Sequence, residues 1–186
     1  MISMKSRSVS TPSGEKETAL PDGPVRVLVS ACLLGEKVRY DGGHKRDPII
    51  VETLGRFFEY VPVCPEVECG LPTPREAMKL AGDPAHPRLV TVETGVDHTR
   101  KMRDWIRGKL KDLNVLGLRG YICKGNSPSC ATDGMFTVAF KERFPQIPVE
   151  EEGGLQDPDV RGNFVRGVIF SPGCGPRRGP DRSGAR

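Results

Sequence analysis

Apolar residues recur along the middle of the chain with two alternating periods. "PVRVLVS" (24–30) is a β-rich apolar run that ends at "ACLLG". "DPIIVETLGRFFEY" has helical spacing, with Ile50, Leu54, Phe57 and Phe58 on one side and Asp47-Pro48 as its start. "YVPV" (60–63) predicts a short strand with an internal proline, and "RLVTVETG" (88–95) predicts another. Met102, Trp105, Ile106, Leu110 and Leu113 return to helical spacing, with Asp97 or Thr99 as cap and Gly117 near the stop. "RGYICKG" (119–125) predicts a strand, "GMFTVAFKERF" (134–144) a helix and "QIPVEEEG" a last edge strand, while "GDPAHP" reads as a loop. There is no internal repeat. Strands alternating with helices predict an α/β fold, a parallel sheet with helices on its faces.

The two ends break the pattern. The first 23 residues carry almost no apolar periodicity, and the last 16, "SPGCGPRRGPDRSGAR", are mostly Gly, Pro, Arg and Ser. Neither end buries enough surface to offset its ordering entropy, so both are expected to be disordered. The tail also holds Arg177, Arg178, Arg182 and Arg186 against one acid, Asp181, which accounts for most of the formal charge of +4. Net charge is therefore weak evidence for a nucleic-acid partner. No run approaches a membrane span, and no apolar secretory segment opens the chain, so a cytoplasmic protein is expected. Six cysteines in an intracellular chain point to metal or redox chemistry before structural disulfides.

Three of those cysteines have equivalent places. Cys32 follows the strand at 25–30, Cys64 the strand at 60–63, and Cys130 the strand at 119–123 after the turn "KGNSPS". The carboxyl ends of parallel strands share one edge, where ligands bind. Three distant cysteines are thus expected to meet there. Thiolates suit zinc and iron–sulfur groups. A closed zinc site wants four ligands in paired spacings, and no C-x2-C pair is present. Three cysteines fit a cubane cluster with one iron left open as a Lewis acid. Cys123 reads as a small hydrophobe within its strand, Cys174 as incidental in the tail, and Cys69 as a possible fourth ligand in the Cys64 loop.

The same residues carry a resemblance. "VSACLLGEKVRYDGGHK", "VPVCPEVECGLPTPRE" and "CKGNSPSC" resemble the three signature segments of the thiouracil desulfidase family, in the same order. The resemblance implies a Rossmann-like single domain over 24–152 and a [4Fe–4S] cluster held by Cys32, Cys64 and Cys130. It implies removal of sulfur from a thiolated pyrimidine, giving the oxygenated base and sulfide. Glu66 matches the family's acid–base carboxylate, and Ser127 and Ser129 match the serines before the third ligand. The sequence resembles most a longer subgroup acting on tRNA thiouridines, in which 153–170 would be the link to a second domain that this chain lacks. The chain departs from the family in "ATDGMF" after Cys130, where a glycine is usual, and at Cys123, where an aliphatic residue is common.

The expected partner is therefore a thiolated base, a nucleotide or a tRNA. Glu66 and Ser129 are the expected catalytic residues, with Pro65 aiming the carboxylate at the substrate. Substrate contacts are expected from Ser30, Ser127 and Lys124 at the strand ends, from Asp41 and Lys45 in the glycine-rich turn "RYDGGHK", and from Arg75 in "LPTPRE". A non-catalytic zinc or iron–sulfur module associated with RNA is the competing reading. It requires a fourth protein ligand.

Overall fold

The computed structural model describes residues 23–171. Strands β1 (Arg26–Ser30), β2 (Glu59–Val63), β5 (Leu118–Cys123) and β6 (Val149–Glu151) form a four-stranded sheet in the order β2-β1-β5-β6. Every pairing in it is parallel. In β1, Val27, Leu28 and Val29 are fully buried, as expected of a strand covered on both faces. The expected mixed α/β fold with a parallel sheet is the fold observed.

Side-chain alternation divides the core into two layers. Leu28, Tyr121 and Cys123 face helices α2 (Thr99–Leu113) and α3 (Met135–Arg143). There α3 and the residue after it supply Phe136, Phe140 and Phe144, one turn apart and buried, with Phe140 5.2 Å from the Tyr121 ring. Each such ring contributes about 1.5–3 kcal/mol by leaving water. Val27, Val29 and Ile122 face the other layer, with Ile50, Leu54, Phe58 and helix α4 (Pro158–Phe170).

Two local readings differ from the structure. The stretch expected as one amphipathic helix is a π turn (Ile49–Thr53) followed by a 3-10 turn (Leu54–Arg56), and Phe57 is 71% exposed while Phe58 is buried. Tyr60 Oη donates to Ile50 O at 2.7 Å, competing for a carbonyl of the helical ladder. The strand expected at 88–95 is β4 (Arg88–Thr91), which lies outside the parallel sheet. It pairs antiparallel with β3 (Met78–Ala81), a strand too short and too mixed for its pattern to show. "GDPAHP" is the loop between them, closed by Ala85 N–H on Asp83 Oδ1. Within 153–170, a 3-10 turn (Gly154–Gln156) leads into α4. Asp157 caps α4 by accepting from Asp159 N and Val160 N, and Pro158 stands at its first position. Phe164 and Val168 bury against β5 at Gly120, where a Cβ would lie 2.6 Å from Val168 Cγ2.

The N-cap of α2 is His98, with no side-chain capping bond, so neither Asp97 nor Thr99 holds the expected cap position. Asp97 Oδ1 accepts from Thr99 N at 2.8 Å, and Thr99 Oγ1 accepts from Leu89 N at 2.9 Å, with His98 at the N-cap position. The terminal segments expected to be disordered, Cys174 among them, lie outside the described residues except for Gly23 and Ser171. No helix among the described residues is long and apolar enough to cross a membrane.

Candidate active site

The sheet register brings the site together. Ser30 pairs with Val63, and Val29 with Ile122, so β1, β2 and β5 end at one edge. Beyond Ser30, a 3-10 turn (Ala31–Leu34) carries Cys32 and is closed by Gly35 at φ 103°, which needs glycine. Beyond Val63, Cys64 is the N-cap of the short helix α1 (Pro65–Glu68). Its amide donates to Glu68 Oε1 at 2.9 Å. Pro65 at the first helical position turns the chain at once, so Glu66 falls in the first turn, next to the thiol.

Cys130 is placed by a longer route. After β5, Asn126 takes a left-handed conformation at φ 54°. Ser127 Oγ then accepts from the amides of Ser129 and Cys130. From the far side, Met135 N and Phe136 N donate to Pro128 O and Ser129 O, and Thr137 Oγ1 donates to Cys130 O at 2.6 Å. At Gly134 a Cβ would stand 2.6–2.9 Å from the backbone of Ser129 and Cys130, so the close approach there requires glycine.

Cys32, Cys64 and Cys130 all line one cavity of about 320 Å³. Burial pushes the Cys32 thiol up to about 11, with Cys64 adding to the rise, and pushes Cys64 and Cys130 upward as well. Lys124 and Arg39 oppose the rise at Cys32. The thiols sense one another, yet no group of three His, Cys, Asp or Glu side chains among the described residues converges tightly enough for one metal ion. Cys69, the possible fourth ligand, is buried away from the cavity with its thiol on Glu66 O at 3.2 Å. Cys123 is fully buried in the core.

Glu66 is buried at 9% exposure on the cavity wall. Ser129 Oγ donates to its Oε1 at 2.6 Å, and Arg75 Nε donates to its Oε2 at 2.8 Å, with Arg75 Nη2 on the same oxygen. Arg75 also donates to Val38 O, Pro72 O and Thr73 Oγ1. Arg75 lines the cavity, and its guanidinium is oriented toward the carboxylate. The ion pair is nearly dry, which makes its geometry rigid.

The remaining candidates divide. Lys124 and Ser127 line the cavity, with Lys124 paired to Glu152 at 2.9 Å. Ser30 and Ser129, at 1% and 0% exposure, stand behind its wall. Ser30 Oγ accepts from Lys124 N there. Asp41 and Lys45 are exposed and outside the lining. Asp41 is held by Arg39 and by Gly43 N, and the Arg39 hydrogen bond lowers its pKa. From the same turn it is Arg39 and Tyr40 that reach the cavity, joined by Val38, Ala77, Met78 and Asn126. Arg39 and Tyr40 were within reach of the reading of "RYDGGHK". Met78 was not, since β3 left no readable pattern.

The profile of the 2-thiouracil desulfurase family matches residues 27–153, the segment that carries all of these groups. The chain is 29% identical over 119 residues to the uncharacterised protein YbbK of Bacillus subtilis (strain 168), covering 61% of this chain and 78% of that one. The fold matches that of TudS, a [4Fe-4S]-dependent thiouracil desulfidase, with a TM-score of 0.61 and 31% identity over 76% of this chain and 98% of the other. With the match spanning the whole sheet and all three cysteine-bearing strand ends, this chain belongs to the 2-thiouracil desulfurase family.

Proposed function

We propose that the chain is a [4Fe–4S]-dependent desulfidase that replaces the sulfur of a thiolated pyrimidine by oxygen from water. The observation that carries this reading is the joint placement of Cys32, Cys64, Cys130 and the paired Glu66 on one small cavity. Three soft thiol donors, with no fourth cysteine on the wall, suit a cubane with one iron free of protein ligands. When bound, such a cluster supplies a thiophilic Lewis acid for the departing sulfur. The zinc-module reading lacks its fourth ligand, because Cys69 is turned into the core.

The protein's own groups supply the rest. A carbon–oxygen bond forms to water as the carbon–sulfur bond breaks, with no net change of oxidation state. Glu66 takes one proton of the attacking water and passes it to the sulfur, then takes the second from the added hydroxyl as the carbonyl forms, so that both leave with the sulfur as hydrogen sulfide. Ser129 and Arg75 hold the carboxylate in one orientation through both transfers. Lys124 and Arg39 put positive charge beside the thiolates and beside the oxygen and sulfur on which negative charge develops as water adds to the carbon.

The cavity suits a base or a mononucleotide, at the lower end of the range for small-molecule sites. A thiouridine of tRNA would enter only as a flipped-out nucleotide. A reduced, cytoplasmic setting accords with the thiols, of which Cys32, Cys64, Cys69, Cys123 and Cys130 are all free. The test is anaerobic purification with iron and sulfide analysis, followed by parallel assays on 2-thiouracil, 4-thiouridine monophosphate and thiolated tRNA. Iron and sulfide in equal amounts with turnover of at least one substrate support the reading. Zinc without sulfide overturns it.

A further inference from the structure

Strand β6 runs into three consecutive carboxylates, Glu150, Glu151 and Glu152, beside the loop that leads from β5 to Cys130. All three are engaged by the protein itself. Glu150 Oε1 accepts from Glu151 N at 3.0 Å. Glu151 Oε1 accepts from Thr132 N at 2.8 Å and from Thr132 Oγ1 at 2.9 Å. Glu152 Oε2 accepts from Gly125 N at 2.6 Å, and its Oε1 pairs with Lys124 Nζ at 2.9 Å. The end of β6 thus grips the loop on both sides of Cys130.

The pair with Lys124 fixes a charge as well as a loop. Both side chains are only 14% exposed. A lysine stem ordinarily carries its ammonium out to water. Here Glu152 Oε1 and Gly125 O take two of the three ammonium hydrogens and hold the group down. The third has no protein partner among the described residues, and Lys124 lines the same cavity as Cys32, Cys64 and Cys130. A carboxylate in this place offsets part of the lysine charge. What it contributes is orientation, a cationic donor already in position before charge develops in the reaction.

We propose that Glu152 is a positioning residue for the reaction, holding the Lys124 ammonium at the cavity wall so that its remaining hydrogen donates to the substrate atom on which negative charge develops as water adds. The inference rests on the desulfidase reading above. Glu152 itself touches neither substrate nor water and acts through Lys124.

The experiment uses the full chain, loaded anaerobically, as wild type, Glu152→Gln, Lys124→Met and the double variant. Glutamine keeps an acceptor for Gly125 N and removes the charge. With 2-thiouracil, kcat is expected to fall about 10²–10³-fold in Lys124→Met, as for loss of one preorganised donor. In Glu152→Gln it is expected to fall by up to about 10²-fold, as for a misplaced group. KM should stay near the wild-type value, because the charge develops after binding. The double variant should match Lys124→Met, since a residue that acts only through another adds nothing once that other is gone. A second readout uses the metal-free chain: acylation of Lys124 by acetic anhydride, followed by peptide mass spectrometry, should be faster in Glu152→Gln than in the wild type. Multiplied losses in the double variant, an unchanged kcat in either single variant, or equal acylation rates overturn the proposal. Loss of iron and sulfide from Glu152→Gln also overturns it, by making Glu152 a structural support of the Cys130 loop. If Lys124→Met fails to fold, kcat and the acylation rate of Glu152→Gln decide. Absence of iron and sulfide from the wild type defeats the desulfidase reading and this inference with it, and chemical analysis of the wild type alone identifies that failure.

Discussion

Ser129 Oγ and Glu66 Oε1 are 2.6 Å apart although 63 positions separate them in the chain. The bond ties the turn after β5 to the first turn of α1, and so couples the third cysteine loop to the second. It also leaves the carboxylate with one oxygen on a hydroxyl and the other on Arg75. A group held this way keeps its orientation while protons pass over it.

Glu66→Gln preserves the shape and removes the basicity. Turnover of 2-thiouracil is expected to fall by about 10²–10⁴-fold, as for loss of one general base. Iron content and the visible spectrum should match the wild type. Normal turnover in the variant places water activation on another group.

Arg75→Met leaves the buried carboxylate without its cation. Breaking a buried pair from one side costs about 3–5 kcal/mol. A drop of the chemical-denaturation midpoint by that order is expected, with partial recovery in the double variant with Glu66→Gln. Equal stability of the single variant and the wild type contradicts the pairing.

Cys32→Ser, Cys64→Ser and Cys130→Ser are each expected to abolish the cluster. Cys69→Ser is expected to keep it, at a stability cost of about 1 kcal/mol for a disturbed core contact. Full iron and sulfide in any of the first three removes that residue from the ligand set. Loss in the fourth adds Cys69 to it.

The free thiols predict an alkaline weakness. A cysteine held near 11 when folded, against 9.0 for the ordinary group, keeps its proton in the folded chain after the unfolded chain has lost it. The unfolded state then binds fewer protons, so stability falls as pH rises. For Cys32 the fall begins near pH 9 and runs to about 11, and stability is fully present below that window. Denaturant midpoints of the reduced, metal-free protein from pH 8 to 11 should decline, and Cys32→Ser should flatten the decline.

Gly134→Ala is expected to lower stability by about 1–3 kcal/mol, because the atoms its Cβ meets are backbone and yield little. The strain falls on Ser129 and Cys130, so cluster content should drop with it. Iron per chain and the thermal midpoint give the two readouts. An unchanged cluster content separates the clamp from the site.

Much of this was legible in the chain itself. β1 reads as a strand because both its faces are buried, and α2 because its stripe repeats every three to four residues. Cys32, Cys64 and Cys130 read as one group because parallel strands end on the same side, whatever their distance in sequence. Glu66 follows from its place two residues after Cys64.

Other features are properties of the packed molecule. The partner of Arg75 is chosen by a carboxylate nine positions back, brought near by the bend at α1, and a lone arginine in "LPTPRE" gives no sign of it. Met78 joins the cavity because β3 pairs with β4, and short strands of mixed polarity carry no readable period. The hold of Glu152 on Lys124 is equally hidden, since an ion pair is a relation between atoms from different segments. Sequence determines which residues prefer burial and where strands end, because those preferences are local. Tertiary structure alone decides which buried polar groups meet, because that depends on distances between segments no local preference encodes.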